Sequence, residues 1–414
     1  MSQGVAPVRK REVFGWCCYD FANSAFITVV VTVVFGPFYT VVVAGGSDAA
    51  NTLWSATLAV SQALVIVLGP VLGAMADVTA SKKRYLLSMM WLCVAATAAL
   101  WFTGPGTLWL GSVLLVVAYA AFSLGENFCG SFLSELSTPE NCGRISGYGW
   151  SFGYLGGLGA LGLALWVMNI APSRVQWVFV ATALFMLVAT VPVALFLHER
   201  KRPESKANSW WHLGWATVGR VSHDLPQHWE LLKFFFSFLM YMSGLGAVVA
   251  FAAIFSAQVL GFTTKENIAL FASLQISSAV GALASGWLQD RAGSVRVLAA
   301  ALLLWCGVAV GAYYCPDKTM FIVVGNLAGL AIGSSQAASR AVVVLLSPKE
   351  RAGEFFGFWG VFGKLAAIIG PLVMGLAADS FGLRVAILGT LFFFAGGFLV
   401  LLTIRIPGGL RKQR

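Results

Sequence analysis

Twelve long apolar stretches take up most of the chain, over roughly 14–43, 53–76, 85–103, 108–134, 143–168, 175–197, 231–256, 267–289, 297–315, 319–346, 353–378 and 383–404. A helix needs about 20 such residues to cross a bilayer. Backbone polar groups cannot stay unbonded in hydrocarbon, so a spanning segment is either a helix or a strand of a closed barrel. Barrel strands are short and alternate in polarity, whereas these runs are long and continuous. The expected fold is therefore an all-α integral membrane protein with twelve transmembrane helices. At 58% hydrophobic and 11% charged residues, the chain is far from a soluble domain, whose charged share is about 25%.

The spans fall into two similar sets. The segment from Ser134 through Pro139, Gly143, Arg144 and Gly147 returns as Leu346 through Pro348, Arg351, Gly353 and Gly357, so that Gly143, Gly147 and Gly153 fall on Gly353, Gly357 and Gly363 at an offset of 210. Gly73-Ala74-Met75-Ala76-Asp77, followed by Lys82-Lys83-Arg84, is echoed by Gly286-Trp287-Leu288-Gln289-Asp290-Arg291 and Arg296. Two parallel repeats of several spans each are the mark of a secondary transporter whose binding site lies between the halves. The expected organisation is two pseudo-symmetric six-helix bundles, residues 1–197 and 231–414, joined by a loop over 198–230.

The net charge of +10 reports topology rather than nucleic-acid binding. Arg9, Lys10, Arg11, Lys82, Lys83, Arg84, Arg144, Arg200, Lys201, Arg202, Arg291, Lys349, Arg351 and the Arg411 to Arg414 tail all sit in every second connection. The opposite loops hold only Arg174, Lys265, Lys318 and Arg384. By the positive-inside rule both termini and the 198–230 loop are cytoplasmic. Within that loop, Trp210, Trp211, Trp215 and Arg220 have the composition of a helix lying in the headgroup region. The seven Cys follow no disulfide or zinc spacing, and the four His (His198, His212, His223 and His228) all lie in the loop. No metal and no cofactor is expected. The first apolar run is too long for a signal-peptide core, so it reads as a retained first helix. Gly149, Gly153 and Gly157 on the fifth span, and Gly353, Gly357, Gly360 and Gly363 on the eleventh, form small-residue stripes that let helices approach closely in lipid. Pro37, Pro70, Pro192 and Pro371 sit inside spans, where proline bends a helix.

Ionisable groups inside a bilayer are costly and so are functional candidates. Asp20 and Asn23 share a face of the first span at i, i+3, Glu126 and Asn127 lie on the fourth, Asn326, Gln336 and Arg340 on the tenth, and Lys364 is near the middle of the eleventh. At about 1.5 Å rise per residue, Glu126 lies roughly 12 Å from the end of its span and Asp20 about 9 Å. Asn23, Glu126, Asn127, Asn326, Gln336, Arg340 and Lys364 form the candidate substrate-binding set, with Asp20 and Glu126 as candidate carriers of a coupling proton. Glu126 maps onto Gln336 at the offset of 210, so Glu126 and Arg340 come from corresponding helices and could meet across the cleft. Asp77, Asp290 and Arg291 are gating candidates, because an Asp at a helix end can accept hydrogen bonds from the N-terminus of a neighbouring helix.

Gly73-x-x-x-Asp77 with its basic cluster, and its copy at Gly286 to Arg291, resembles the signature loop of the major facilitator superfamily. The opening Gly15-Trp16-Cys17-Cys18-Tyr19-Asp20-Phe21-Ala22-Asn23-Ser24-Ala25-Phe26 is similar to that of the vacuole-effluxer branch, which includes autophagy-related amino-acid exporters and bacterial permeases. Gln336 to Arg340, Pro348 to Arg351, Glu354 to Phe358 and Lys364 resemble the same branch. The second signature loop departs from the pattern, with Ala292 to Val295 separating Arg291 from Arg296. The resemblance implies the major facilitator fold and a rocker-switch carrier, whose first, fourth, seventh and tenth spans line a central cavity.

The resulting expectation is an exporter of a small polar metabolite, an amino acid or short peptide, in the cytoplasmic (inner) membrane. A coupling proton, the lipid bilayer and a monomeric state belong to that expectation; nucleic acid does not. The 15 Trp and 31 Phe favour a lipophilic substrate as the alternative. A membrane enzyme lacks its nucleophile or metal constellation, and a non-transporting sensor would leave the intramembrane charges unexplained.

Overall fold

A computed structural model of the chain describes residues 8–46, 50–171, 174–200 and 228–405. The stretch from Trp210 to Arg220, His212, His223 and the basic C-terminal tail lie outside the described residues. Those that are described are helical throughout, without a strand, and include twelve helices long and apolar enough to cross a membrane. They are α1 (Lys10–Val43), α2 (Ala50–Thr79), α3 (Lys82–Ala99), α4 (Leu108–Leu136), α5 (Cys142–Ile170), α6 (Gln176–Phe196), α7 (Trp229–Leu260), α8 (Thr264–Ala292), α9 (Ser294–Tyr313), α10 (Lys318–Leu346), α11 (Ala352–Phe381) and α12 (Leu383–Leu401). Large apolar side chains open to the outside, among them Trp109 (82% exposed), Phe392 (71%) and Val188 (69%), fit helices whose outer faces meet lipid rather than water.

α1 starts at Lys10, about a turn before the apolar run suggests. Its charged first turn is held in place because Arg200 Nη2 donates to Glu12 Oε2 at 2.6 Å. Beyond Ala25, α1 widens to π-helical winding over Phe26–Val34 and again over Tyr39–Val43, on either side of a short α segment that contains Pro37. β-Branched residues crowd the preceding turn of an α-helix and Pro removes a donor from it; a wider turn relieves both. The Thr32 hydroxyl donates to the carbonyl of Ile27, five residues back, at 2.8 Å.

The chain forms two compact units. The first holds Met1–Leu136, Phe152–Thr217 and Arg351–Gly360; the second holds Ser137–Ser151, Val218–Glu350 and Val361–Arg414. The start of α5 thus belongs to the second unit and the start of α11 to the first. Inside each unit the same helix pairs recur. α2–α4, α3–α4, α1–α6 and α3–α6 in the first correspond to α8–α10, α9–α10, α7–α12 and α9–α12 in the second. Gly147 and Gly357 are each the sixth residue of their helix. In the second unit Gly147 lies against Ala282 and Gly286 of α8, and in the first Gly357 lies against Gly69 and Pro70 of α2. The 210-residue offset therefore corresponds to equivalent helix positions and equivalent contacts.

Within the first unit, α5 crosses α1 where Gly156 touches the carbonyl of Phe21; within the second, α11 crosses α7 where Gly370 touches the carbonyl of Ser243. A Cβ at either glycine would overlap backbone, which cannot rotate away as a side chain can. At the opposite end of the second unit from its Asp290 corner, the Thr263–Glu266 capping box starts α8, and Lys318 Nζ reaches both Glu266 carboxylate oxygens at 2.9 and 2.8 Å. The Lys318 hydrogen bonds, with those from Thr263, hold the Glu266 carboxyl down at about 2.

Gly156→Ala and Gly370→Ala are expected to lower thermal stability by about 1–3 kcal/mol each, the usual cost of overpacking, measured by unfolding of the purified protein in detergent. Gly162→Ala is the control, since nothing lies within 4 Å of a Cβ there. Equal effects at all three positions would refute the close-approach account. The lowered pKa of Glu266 sets the sign of a second test: its stabilising contribution is complete above the unfolded value of about 4.3 and is lost as pH falls towards about 2. Glu266→Gln should flatten the acid limb of the melting temperature over that window, and an unaltered limb would exclude the pair as its source.

Candidate functional site

Two aspartates end matching helices and bind the N-termini of others. In the first unit, Asp77 Oδ2 accepts from the backbone N–H of Glu354 at 3.0 Å, at the start of α11. In the second, Asp290 Oδ1 accepts from the backbone N–H of Arg144 at 3.0 Å, at the start of α5, and the Arg144 guanidinium lies 3.5 Å from Oδ2. The expected interaction of a carboxylate with a helix N-terminus is present in both copies. Arg291, grouped with them in the sequence, is exposed and forms no ion pair among the described residues.

The surroundings of the two aspartates differ. Lys82, read from the sequence as one of a basic cluster, is fully buried and joins Asp77 at 3.1 Å to Glu135 at 2.9 Å. At the matching positions of the second repeat stand Val295 and Leu345. The first unit thus holds a buried acid–lysine–acid triad that the second lacks. Sequence reasoning missed Lys82 and Glu135 as a pair, although the absence of both from the second copy was a readable signal.

A second cluster lies deeper in the first unit. Because α1 begins at Lys10, Asp20 lies ten residues from its start, and Glu126 lies ten residues from the end of α4. Each is thus about 15 Å along its helix from that end at the helical rise. Asp20 is buried and accepts from Cys129 Sγ at 3.5 Å, one helical turn from Glu126. Tyr19 is fully buried with its hydroxyl against Gly125. Tyr119 hydrogen-bonds the Gln62 side chain. Asn127 packs against Gly69 and Gly360. Tyr19 Oη, Asn23 Oδ1, Gln62 Oε1, Ser123 Oγ and Asn127 Nδ2 are buried and have no hydrogen-bond partner among the described residues. Sequence reasoning did not single out Tyr19 or Tyr119, although Tyr119 stands two turns before Glu126 on the same face of α4.

The second unit places its candidates apart. Arg340 is 1% exposed and its guanidinium lies 4.9 Å from the centre of the Trp150 ring, on the first turns of α5. Ser146 Oγ, from the same turns, donates to the Ala337 carbonyl of α10 at 2.7 Å. Gln336 is half-buried, one turn before Arg340. Asn326 is engaged near the other end of α10, where it accepts from the Ser277 hydroxyl, donates to Ser273 Oγ at 3.2 Å and to the Ile322 carbonyl at 2.8 Å. Lys364 is half-buried on α11. Among the described residues no group of three or more His, Cys, Asp or Glu is placed to hold a metal ion.

This architecture is that of the major facilitator superfamily. The human organic anion transporter MFSD10 superposes with a TM-score of 0.76 at 15% identity, over 95% of this chain and 99% of that one. A family model described as "Vacuole effluxer Atg22 like" matches residues 39–414, and the chain belongs to that family. An uncharacterized MFS-type transporter, YxiO of Bacillus subtilis (strain 168), is 29% identical over 409 residues, 94% of each chain. The multidrug resistance protein MdtG of Dickeya zeae (strain Ech586) is 22% identical over 408 residues, 93% of this chain and 92% of its own. The protein is thus a multi-pass membrane transporter of the major facilitator type.

Lys82→Met leaves the buried carboxylates of Asp77 and Glu135 without their cation and is expected to cost about 3–5 kcal/mol. Lys82→Met combined with Glu135→Leu, which imitates the chemistry of Val295 and Leu345, should recover a large part of that loss in the same detergent unfolding assay. A double variant no better than Lys82→Met alone would show that the triad does not act as a charge unit.

Proposed function

We propose that this transporter is a secondary carrier that exports a small zwitterionic metabolite, an amino acid or short peptide, from the cytoplasm across the inner membrane by alternating access, with both termini cytoplasmic. One observation carries the reading: the charges held within the spans are few and sorted by unit, Asp20 and Glu126 in the first and Arg340 and Lys364 in the second. Opposite charges kept in lipid at such cost suit a substrate that bears both signs, and the vacuole-effluxer family supports the outward direction. Asn23, Asn127 and Gln336 supply neutral hydrogen bonds in this reading, while Asn326 has a structural share as a tie to α8. Asp20 or Glu126 carries the coupling proton. Asp77 and Asp290 act as gates through the helix ends that they cap. The chain acts as a monomeric carrier and not as an enzyme. A second reading, a lipophilic or anionic drug-like substrate, is favoured by the likeness to MdtG and MFSD10.

Counterflow in proteoliposomes tests the two readings directly. Amino acids or short peptides should exchange, and drug-like anions should not. Arg340→Lys keeps the charge but loses the planar fork, so recognition of a substrate carboxylate should weaken while a plain charge pair would be partly preserved. Glu126→Gln should abolish proton-driven uphill transport and leave exchange, which moves no net proton. Wild-type rates and affinities in Arg340→Ala, Lys364→Ala and Glu126→Gln together would refute the assignment.

A further inference from the structure

A groove open to the outside runs along the first unit where the second half of α5 passes α6. It consists of two adjoining hollows of ≈ 300 and ≈ 550 Å³ that share Trp166 and Ala181; the first reaches Ala171 and Trp177, the second Ala189 and Phe21 of α1, and the lining is almost wholly apolar. On α6, Ala189 stands twelve residues beyond Trp177, about 18 Å at the helical rise. The hydrocarbon core of a bilayer is about 30 Å thick, so the groove spans about one leaflet, the reach of one acyl chain. Gly159 and Gly162 share the α5 face of Trp166. A Cβ at Gly159 would meet only the Phe185 ring, at 3.9 Å, and one at Gly162 would meet nothing within 4 Å, so the groove owes its depth to the side chains these positions lack. At the offset of 210 the second repeat has Ile369 and Leu372 there; the hollow is a property of the first unit and not of the duplicated fold.

The Trp177 end of the groove carries a cation. Arg174 is exposed and forms no ion pair among the described residues. Its backbone N–H donates to the Ala171 carbonyl at 3.1 Å and its carbonyl accepts from the Trp177 N–H at 3.1 Å, which ties it to both residues that close the groove at that end. Two other cations of the same set of loops are used within the protein: Lys318 by Glu266, and Arg384 by the carbonyls of Tyr313 and Cys315. Trp177 packs edge-on against Trp101 with ring centres 4.5 Å apart, and Gln176 beside it donates to the Thr103 carbonyl at 3.4 Å. Tryptophans at a span end mark the headgroup level.

We propose that this groove is a binding site for an anionic phospholipid of the bilayer, with one acyl chain lying between Trp166 and Ala181 and the headgroup phosphate at Arg174. An apolar slot one leaflet deep with an uncommitted guanidinium at its mouth is complementary to a molecule that has an anion at one end and a hydrocarbon chain of that length. A second copy of this chain suits the face less well: related by an axis along the membrane normal, it would bring its own Arg174 to the same level and set like charge against like. The site is separate from that of the transported substrate. Phe21, which bounds the groove on the α1 side, follows Asp20 directly and stacks on Phe185 with ring centres 5.3 Å apart, so a bound chain packs against the turn of α1 that carries Asp20.

The test uses the full-length purified protein in phosphatidylcholine nanodiscs doped with phosphatidylglycerol or phosphatidylcholine that carries a dibrominated stearoyl chain, whose bromines quench tryptophan fluorescence on contact. The signal of Trp166 and Trp177 is taken as the difference from Trp166→Phe/Trp177→Phe. Brominated phosphatidylglycerol should quench that signal at about fivefold lower mole fraction than brominated phosphatidylcholine, the preference expected of one basic residue at an anionic headgroup. Arg174→Gln should bring the two lipids to parity, and Arg174→Lys should keep the preference. Ala181→Phe and Gly159→Ile, which fill the slot from opposite walls, should also abolish the preference while quenching by surrounding lipid remains; both face outward, and unfolding in detergent checks that each is folded. Native mass spectrometry of the wild-type protein should retain a phosphatidylglycerol adduct that Arg174→Gln and Ala181→Phe lose. Equal quenching by the two lipids in the wild-type protein, or a preference unmoved by all four variants, would overturn the assignment. So would groove tryptophans shielded from both lipids together with a two-copy species in the mass spectrum, which would give the face to a second copy.

Discussion

The first N–H groups of a helix have no acceptor inside it, and in a membrane protein they cannot be left to solvent unless the helix end reaches the interface. Asp77 and Asp290 meet that need for α11 and α5, each accepting a backbone N–H at 3.0 Å. The rest of each unit is consistent with this contact. For the carboxylate to reach the N-terminus, the helix must come close, and glycines at Gly73 and Gly353 in the first unit, and at Gly143 and Gly286 in the second, remove the side chains that would hold it off. The Gly–x–x–x–Asp pattern thus has one physical meaning in both copies: glycine permits the approach and aspartate uses it.

Duplication conserved that geometry and changed its electrostatics. In the second unit the partner of Asp290 is Arg144, whose side chain is partly exposed, so the pair is screened and weakly held. In the first, Lys82 is fully buried between two acids, and a buried charge of this kind is stable only while all its partners remain in place. The two corners are therefore alike in form and unlike in burial and in the charges that surround the aspartate.

Much of this was legible in the sequence because it depends on period and spacing. Twelve apolar runs mark twelve spans, and the alignment of Gly147 with Gly357 marks equivalent helix positions. Less legible were features that depend on which side chain turns inward at a helix end. Lys82, Lys83 and Arg84 read as one basic cluster, yet Lys82 turns in to Glu135 while Lys83 donates through Nζ to the Ala194 carbonyl at the end of α6. The start of α1 was hidden for a related reason: Lys10, Arg11 and Glu12 end the apolar run but not the helix, since Arg200 neutralises Glu12 from the far end of α6. That shift of about one turn sets Asp20 ten residues inside α1, where it meets Cys129 of α4. The partners of Asn326, two serines on α8, could not be read from α10 alone.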